Sequence, residues 1–499
     1  MVGIQPTTRG WIVKRVRKLV LMAVFSLSVT ALVTSCFIFG WDELVISGTV
    51  SGLVGEATLT LNDGQEFELT ENGEFSFVAE FERNVDYEVV VSQWPGILGV
   101  TFTAGTQSEK GREISGVSID FYHLVFFSAY DGTDVALWKT DGTPEGTLKV
   151  KDFDYIRLTR QGTQPNTAFL GTDVYFRADD GNGTVLWKSD GSAEGTVELG
   201  GEGASYMAAF DGRVFFRADD PTRGSELWSS NGTPGGTQLF ADIYNGSSGS
   251  APGYMTVMGG EMVFCAWYDN DGLGDHELWK TDGSVNGTVL VADIYEAGPA
   301  YPGGFAAAGD LVFFNAYLPP YGYELFGSDG TESGTGMVKD VNPVANSSPE
   351  DLTTLGDTVL FTAQEGSQRE LWKSDGTETG TSMVTDINGA SSSSPRNLTA
   401  MGGLVYFAAT DEVNGEELWT TDGTAAGTAF VMDVNGDPTD SSMDDMQSVG
   451  GRLFFFVAHP DYGREPWAFT PDSSGYEGSA GLLKDINAGT GDSLIGEEG

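Results

Sequence analysis

The chain has 499 residues, enough for two or three domains at about 100–200 residues each, and 40% of them are hydrophobic and 12% aromatic, which supports sizeable cores and excludes the disordered class. Its 72 acidic residues against 26 basic ones give a net charge of −46, which repels phosphate backbones and sets the chain against nucleic-acid partners. The 69 glycines follow no collagen period, so they mark tight turns and an all-β chain poor in helix.

Residues 1–35 carry Arg9, Lys14, Arg15, Arg17 and Lys18 and no acid, and the apolar run Leu19 to Thr34 follows, in the order of an export signal. That run is shorter than the roughly 20 residues that cross a bilayer, although Phe37, Ile38 and Phe39 extend it to that length, so a retained membrane helix is the rival reading. Val33-Thr34-Ser35-Cys36 resembles a bacterial lipobox, which implies a diacylated Cys36 as mature N-terminus, a lipidated tether over residues 36–43 and a membrane partner reached through the lipid. Loss of residues 1–35 leaves 21 bases against 72 acids, a net charge of −51. Phe37 follows the cysteine where inner-membrane retention would place Asp, so the expected location is the outer membrane or cell surface. Cys265, in MVFCAW, reads as a small buried hydrophobe.

From residue 44 to 115, alternating apolar and polar residues with turns at Asn62-Asp63-Gly64 and Asn72-Gly73 predict a small β-sandwich of about seven strands. This stretch resembles the Ig-like modules that follow lipid anchors in bacterial surface lipoproteins and reads as a stalk. From residue 116 to 486 a unit recurs eight times. Each copy has an aromatic-x-Ala strand, at Phe127/Ala129, Phe176/Ala178, Phe216/Ala218, Phe264/Ala266, Phe314/Ala316, Phe361/Ala363, Phe407/Ala409 and Phe456/Ala458. A second aromatic follows: Trp138, Trp187, Trp228, Trp279, Phe326, Trp372, Trp419 and Trp467, at steps of 49, 41, 51, 47, 46, 47 and 48 residues. Four strands every 46 or so residues make a propeller blade, and eight blades close a ring without exposed sheet edges. A parallel solenoid is the rival, with shorter coils of about 20–30 residues. The predicted fold is therefore all-β, an eight-bladed β-propeller after a small Ig-like β-sandwich, with residues 487–499 as an acidic flexible tail.

Strings such as ELWKTDGSVNGT, ELWKSDGTETG and ELWTTDGTAAGT resemble the ELWxxDGT repeat family of bacterial secreted and surface proteins over about 370 of the 499 residues. That resemblance implies export and a repeat architecture and brings no established reaction. Blades one and two depart from it with Ala136 and Val185 in place of Glu, and blade eight reads Glu465-Pro466-Trp467, so the end blades are expected to form the closure seam.

Within the repeat, Asp141, Asp190, Asp282, Asp329, Asp375 and Asp422 precede Gly, and each Asp-Gly is expected to supply two positive-φ positions of a tight hairpin. The recurring Trp set reads as filler between blades, with ligand stacking as the sharper reading. Glu226, Glu277, Glu324, Glu370 and Glu417 read as half-buried acceptors for backbone amides of a neighbouring blade, with calcium ligation as the alternative. Asp269, Asp271 and Asp275 form a weak calcium candidate, and Asp433, Asn435, Asp437 and Asp440 have similar spacing. Neither loop completes an EF-hand, so solvated acidic loops are the plainer reading.

No cofactor is indicated. His123, His276 and His459 fall in separate units without HExxH, GxSxG or Cys-His spacing, so no catalytic residue is assigned. The reading is a non-enzymatic propeller that binds a glycan or protein through loops on one face, where insertions such as Tyr317-Leu318-Pro319-Pro320-Tyr321 fall. The alternatives are a periplasmic scaffold for outer-membrane assembly and a polysaccharide-active enzyme with carboxylates at the central channel.

Overall fold

The computed structural model describes residues 30–33 and 43–494 apart from 54–56, 62–64, 71, 81–86, 94–97, 104–105, 108–112, 157, 159–165, 269–273, 437–439 and 490. Its regular structure is strand, save for one short 3-10 turn at Pro234–Gly236. Among the described residues no helix is long and apolar enough to cross a membrane. Cys36, Asp269, Asp271 and Asp437 lie outside the described residues.

Nine strands build the N-terminal unit: β1 (Thr30–Val33), β2 (Glu43–Ser51), β3 (Ala57–Leu61), β4 (Glu66–Leu69), β5 (Gly73–Glu80), β6 (Tyr87–Gln93), β7 (Leu98–Thr103), β8 (Thr106–Gln107) and β9 (Glu113–His123). One sheet runs β1-β6-β3-β4 and the other β5-β2-β9-β7, with β8 also on β9. Ile46, Val50, Leu59, Leu69, Phe75 and Ile119 fill the space between them, as the period-2 patterning requires. Strand β9 pairs in parallel with β2 and antiparallel with β7, so the sandwich extends past residue 115 to His123. Only Leu124 separates it from β10 (Val125–Tyr130), which pairs with β11 (Val135–Thr140) and then β12 (Leu148–Phe153). The sandwich core continues into Phe126, Leu137 and Phe153, so this unit is packed onto the propeller.

Eight antiparallel sheets follow around an axis. The first has three strands, and from the second on the inner strands run Thr167–Leu170, Ser205–Phe210, Gly253–Met258, Gly303–Ala308, Glu350–Leu355, Arg396–Met401 and Asp444–Val449, and neighbours in this series touch. In blade eight the phase differs from the sequence reading. Phe455 pairs with Trp467 and Val457 with Glu465, so Phe455-x-Val457 takes the place expected for Phe456/Ala458. A run of three phenylalanines leaves the phase ambiguous in sequence, and cross-strand pairing sets it.

The recurring aromatic sits between blades. Trp279 packs with Phe215 and Leu227 of blade three, Trp372 with Phe313 and Leu325 of blade five, and Trp467 with Tyr406 and Leu418 of blade seven. Phe326, Trp187, Trp228 and Trp419 pack in the same way against the preceding blade. Trp138 of blade one packs with Phe454 and Phe456 of blade eight, which closes the ring. Burying one such ring removes about 150–250 Å² from water.

The segment expected to be a flexible tail is instead docked as far as Leu494. Ile486 N and Asn487 N donate to Glu465 (2.9 and 3.0 Å), Ser493 is fully buried, and Tyr130 N of blade one donates to Ser493 O at 2.9 Å. In blade eight Ala458 N makes the same bond to Ser441 O. The tail therefore repeats the link between blades and joins the last blade to the first, which its acidic composition hid.

The D-G-T strings form seven-residue loops rather than tight hairpins. Only the glycine has positive φ, 82–88° at Gly142, Gly191, Gly283, Gly330, Gly376 and Gly423. Asp375 Oδ1 accepts the amide and hydroxyl of Thr377 (2.9 and 2.7 Å), and that hydroxyl accepts Gly380 N at 2.9 Å. Ser374 and Thr381 hydroxyls close the loop at 2.8 Å. Asp141, Asp190, Asp282, Asp329 and Asp422 repeat the arrangement. A Cβ on Gly380 would overlap the Asp375 carboxylate, whereas one on Gly336 meets open space. Gly380→Ala should therefore lower stability by about 1–3 kcal/mol, with Gly336→Ala near neutral, as read from melting temperatures of the two variants.

Candidate functional site

Six of the eight repeats bury one glutamate completely: Glu226, Glu277, Glu324, Glu370, Glu417 and Glu465 have no exposed surface. They grip the connection leading to the next inner strand. Glu324 accepts Val341 N at 2.9 Å, Ser347 N at 3.0 Å and the Ser347 hydroxyl at 2.6 Å. Glu226 does the same with Ile243 and Ser250, Glu370 accepts the Ser393 amide and hydroxyl, and Glu417 accepts the Val434 amide and the Ser441 hydroxyl, while Ser441 N donates to Glu416 O. In blade four Ala300 replaces that serine, so Glu277 receives only the amides of Ile294 and Ala300 (2.8 and 3.0 Å). Burial pushes the Glu277 carboxyl up to about 8, and nearby Asp293 and Asp275 add to the rise. Asp275, one of the calcium candidates, is buried at the start of Asp275–Thr281. Among the described residues no group of three His, Cys, Asp or Glu is placed to hold a metal ion.

In blades three to eight the inner strand starts with a bulge, marked by positive φ at Tyr206, Tyr254, Gly304, Asp351, Asn397 and Asp445. The first residue of the strand and the residue before the buried glutamate crowd the same end of the ring. In blades six to eight these positions are charged. Arg369 pairs with Glu350 at 2.7 Å, and Arg396 with Glu416 (2.6 Å) and Asp444 (2.8 Å), while Arg464 also contacts Asp444. Such partly exposed pairs contribute little singly, but they fill the opening.

In blades four and five the strands begin with Gly253 and Gly303, and a cavity of about 420 Å³ opens there. Tyr206, Tyr254, Tyr301 and Tyr323 line it, together with Arg217, His276, Asn315 and Cys265. The Tyr206 and Tyr254 ring centroids lie 5.4 Å apart, and His276 stacks on Tyr301 at 5.4 Å. Burial pushes the Tyr254 phenol up to about 12, so it stays protonated. Burial, with the Arg217 charge second, holds His276 below its ordinary value, and its Nδ1 has no protein hydrogen-bond partner. Cys265 is a free, buried thiol, raised by burial. The insertion Pro319–Tyr321 flanks this end, because Tyr317 and Tyr323 pair across it with rings 5.3 Å apart.

Sequence reasoning missed this cavity, since its walls are departures from the repeat: two glycines and a tyrosine cluster where other blades carry charges. The signal was present at the first inner-strand position, where Gly253 and Gly303 align with Glu350, Arg396 and Asp444.

No family model and no curated protein matches the chain. Among solved structures it is similar to a puromycin hydrolase (TM-score 0.44, 13% identity, 68% of this chain and 55% of that one). It is similar to the β-propeller domain of the Trilobed protease from Pyrococcus furiosus (TM-score 0.39, 11% identity, 66% and 97%). Apo AztD from Citrobacter koseri is another (TM-score 0.44, 12% identity, 72% and 94%). The chain thus spans about half the length of the hydrolase.

The missing hydroxyl in blade four gives a pH test. A carboxyl raised in the folded state favours the protonated form, so its stabilisation is complete below the unfolded value near 4.5 and is lost as pH rises toward 8. Ala300→Ser restores a donor to the carboxylate. It should flatten the fall in melting temperature between pH 5 and 8 and add about 1 kcal/mol at the upper end.

Proposed function

We propose that this chain is a lipid-anchored, exported propeller at the cell surface that binds a saccharide in the blade three to five cavity and does not transform it. The observation that carries the reading is the cavity itself: about 420 Å³, walled by four tyrosines and opened by Gly253 and Gly303. Tyrosine faces offer rigid apolar platforms, while Asn315, His276 and the phenol hydroxyls supply the few directed hydrogen bonds that orient a ligand. Tyr301 and Tyr321, 47% and 41% exposed, extend the aromatic surface outward, which suits a chain longer than the cavity. Among the described residues no carboxylate lines the cavity. Export and lipidation are supported by the basic-then-apolar start and by Cys36, and the cleavage they imply would remove β1 and leave β6-β3-β4 as that sheet of the sandwich.

A side chain at Gly303 meets only ordinary contacts, with Asn315 and Tyr254 atoms 3.4 Å from an added Cβ, and points at the space a ligand would take. Gly303→Leu should keep the wild-type melting temperature within a few degrees and abolish retention on immobilised oligosaccharides, measured by array and by titration calorimetry. Retention unchanged in this variant would place binding elsewhere.

A further inference from the structure

Among the described residues Arg213, Arg223, Arg369, Arg396 and Arg464 each hold a carboxylate. Arg217 lines the cavity and holds none, although the chain carries 72 acids. Its Nε donates to Ser225 Oγ at 2.7 Å, which fixes the guanidinium plane, and among the described residues its Nη donors pair with no carboxylate. The equivalent position is Arg177 in blade two and Cys265, Asn315, Thr362, Ala408 and Phe456 in blades four to eight, so the repeat does not require a cation here. Glu226 and Glu277, on the third strands of blades three and four, are engaged with connection amides.

Resting on the reading of the cavity as a saccharide site, we infer that its ligand is an acidic saccharide, with one carboxylate on the Arg217 guanidinium and adjoining sugar faces against Tyr206, Tyr254 and Tyr301. A planar guanidinium fixed on one edge presents paired donors that match a carboxylate, and charge-assisted bonds of this kind are about twice as strong as neutral ones. The neutral His276 beside it offers a directed hydrogen bond without adding a competing charge. The net charge of −46 opposes an anionic ligand at long range. That repulsion is screened beyond about 8 Å at physiological ionic strength, so the local contact decides affinity.

The test is titration calorimetry of the full chain with trigalacturonic acid and, as neutral probe, cellotriose. Wild type should bind trigalacturonic acid the more tightly, Arg217→Gln should weaken it about tenfold or more with cellotriose unchanged, and Arg217→Lys should fall between. Melting temperatures matched to wild type establish that the variants fold. Equal affinity for both probes, or an Arg217→Gln variant that keeps its uronate affinity, overturns the acidic-ligand inference. In that case loss of binding in Gly303→Leu keeps the saccharide reading. Failure of wild type to bind either probe overturns both.

Discussion

Moving a carboxylate out of water costs several kcal/mol unless hydrogen bonds replace the lost solvation, and this fold does so in six of its eight blades. Each buried glutamate gathers one or two backbone amides, and in four blades also a serine hydroxyl, from the connection that carries the chain to the next inner strand. Those connections have no ladder of their own, so without the glutamate their amides would be buried and unmet. The grip therefore sets where each inner strand begins and which side chain stands first at the mouth of the ring. Glu465 makes the same grip on Ile486 and Asn487, and this brings the C-terminal segment to Tyr130 and joins blade eight to blade one.

A rigid, repeated frame turns single substitutions into local chemistry. With strand starts fixed, the first inner-strand residue decides whether the mouth is filled. Glu350, Arg396 and Asp444 fill it with ion pairs, and Gly253 and Gly303 leave it open. The tyrosines that bulge inward then face space instead of charge, and Arg217 is left without an acid. The proposed function grows out of this asymmetry and owes nothing to the recurring ELW or DGT residues, whose side chains are engaged in packing and in loop closure.

The fold was legible in the sequence because its causes are local and repeated: aromatic-x-Ala strands, a Trp every 46 or so residues and Asp-Gly loops all recur at one period. Less legible were features set by pairing across the chain. Strand β9 carries the sandwich to His123 because it pairs with β2, about 70 residues earlier, and no local signal at residue 116 marks this. The docked tail reads as acidic and glycine-rich, and only the match of Ser493 to Ser441 shows its place. Motif reasoning looked for what recurs, whereas the cavity lies where Gly253, Gly303, His276 and Arg217 break the pattern. A comparison of the eight units position by position, with attention to lost charges, would have found it.

The account turns on the glutamate grip, and amide hydrogen exchange of the full chain tests it most directly. The account predicts that the amides of Ser250, Val341, Ser347 and Ser393, all outside regular strands, exchange as slowly as the amides of the second strands in the same blades. Exchange at those four amides as fast as at the exposed loop residues beside them would contradict it.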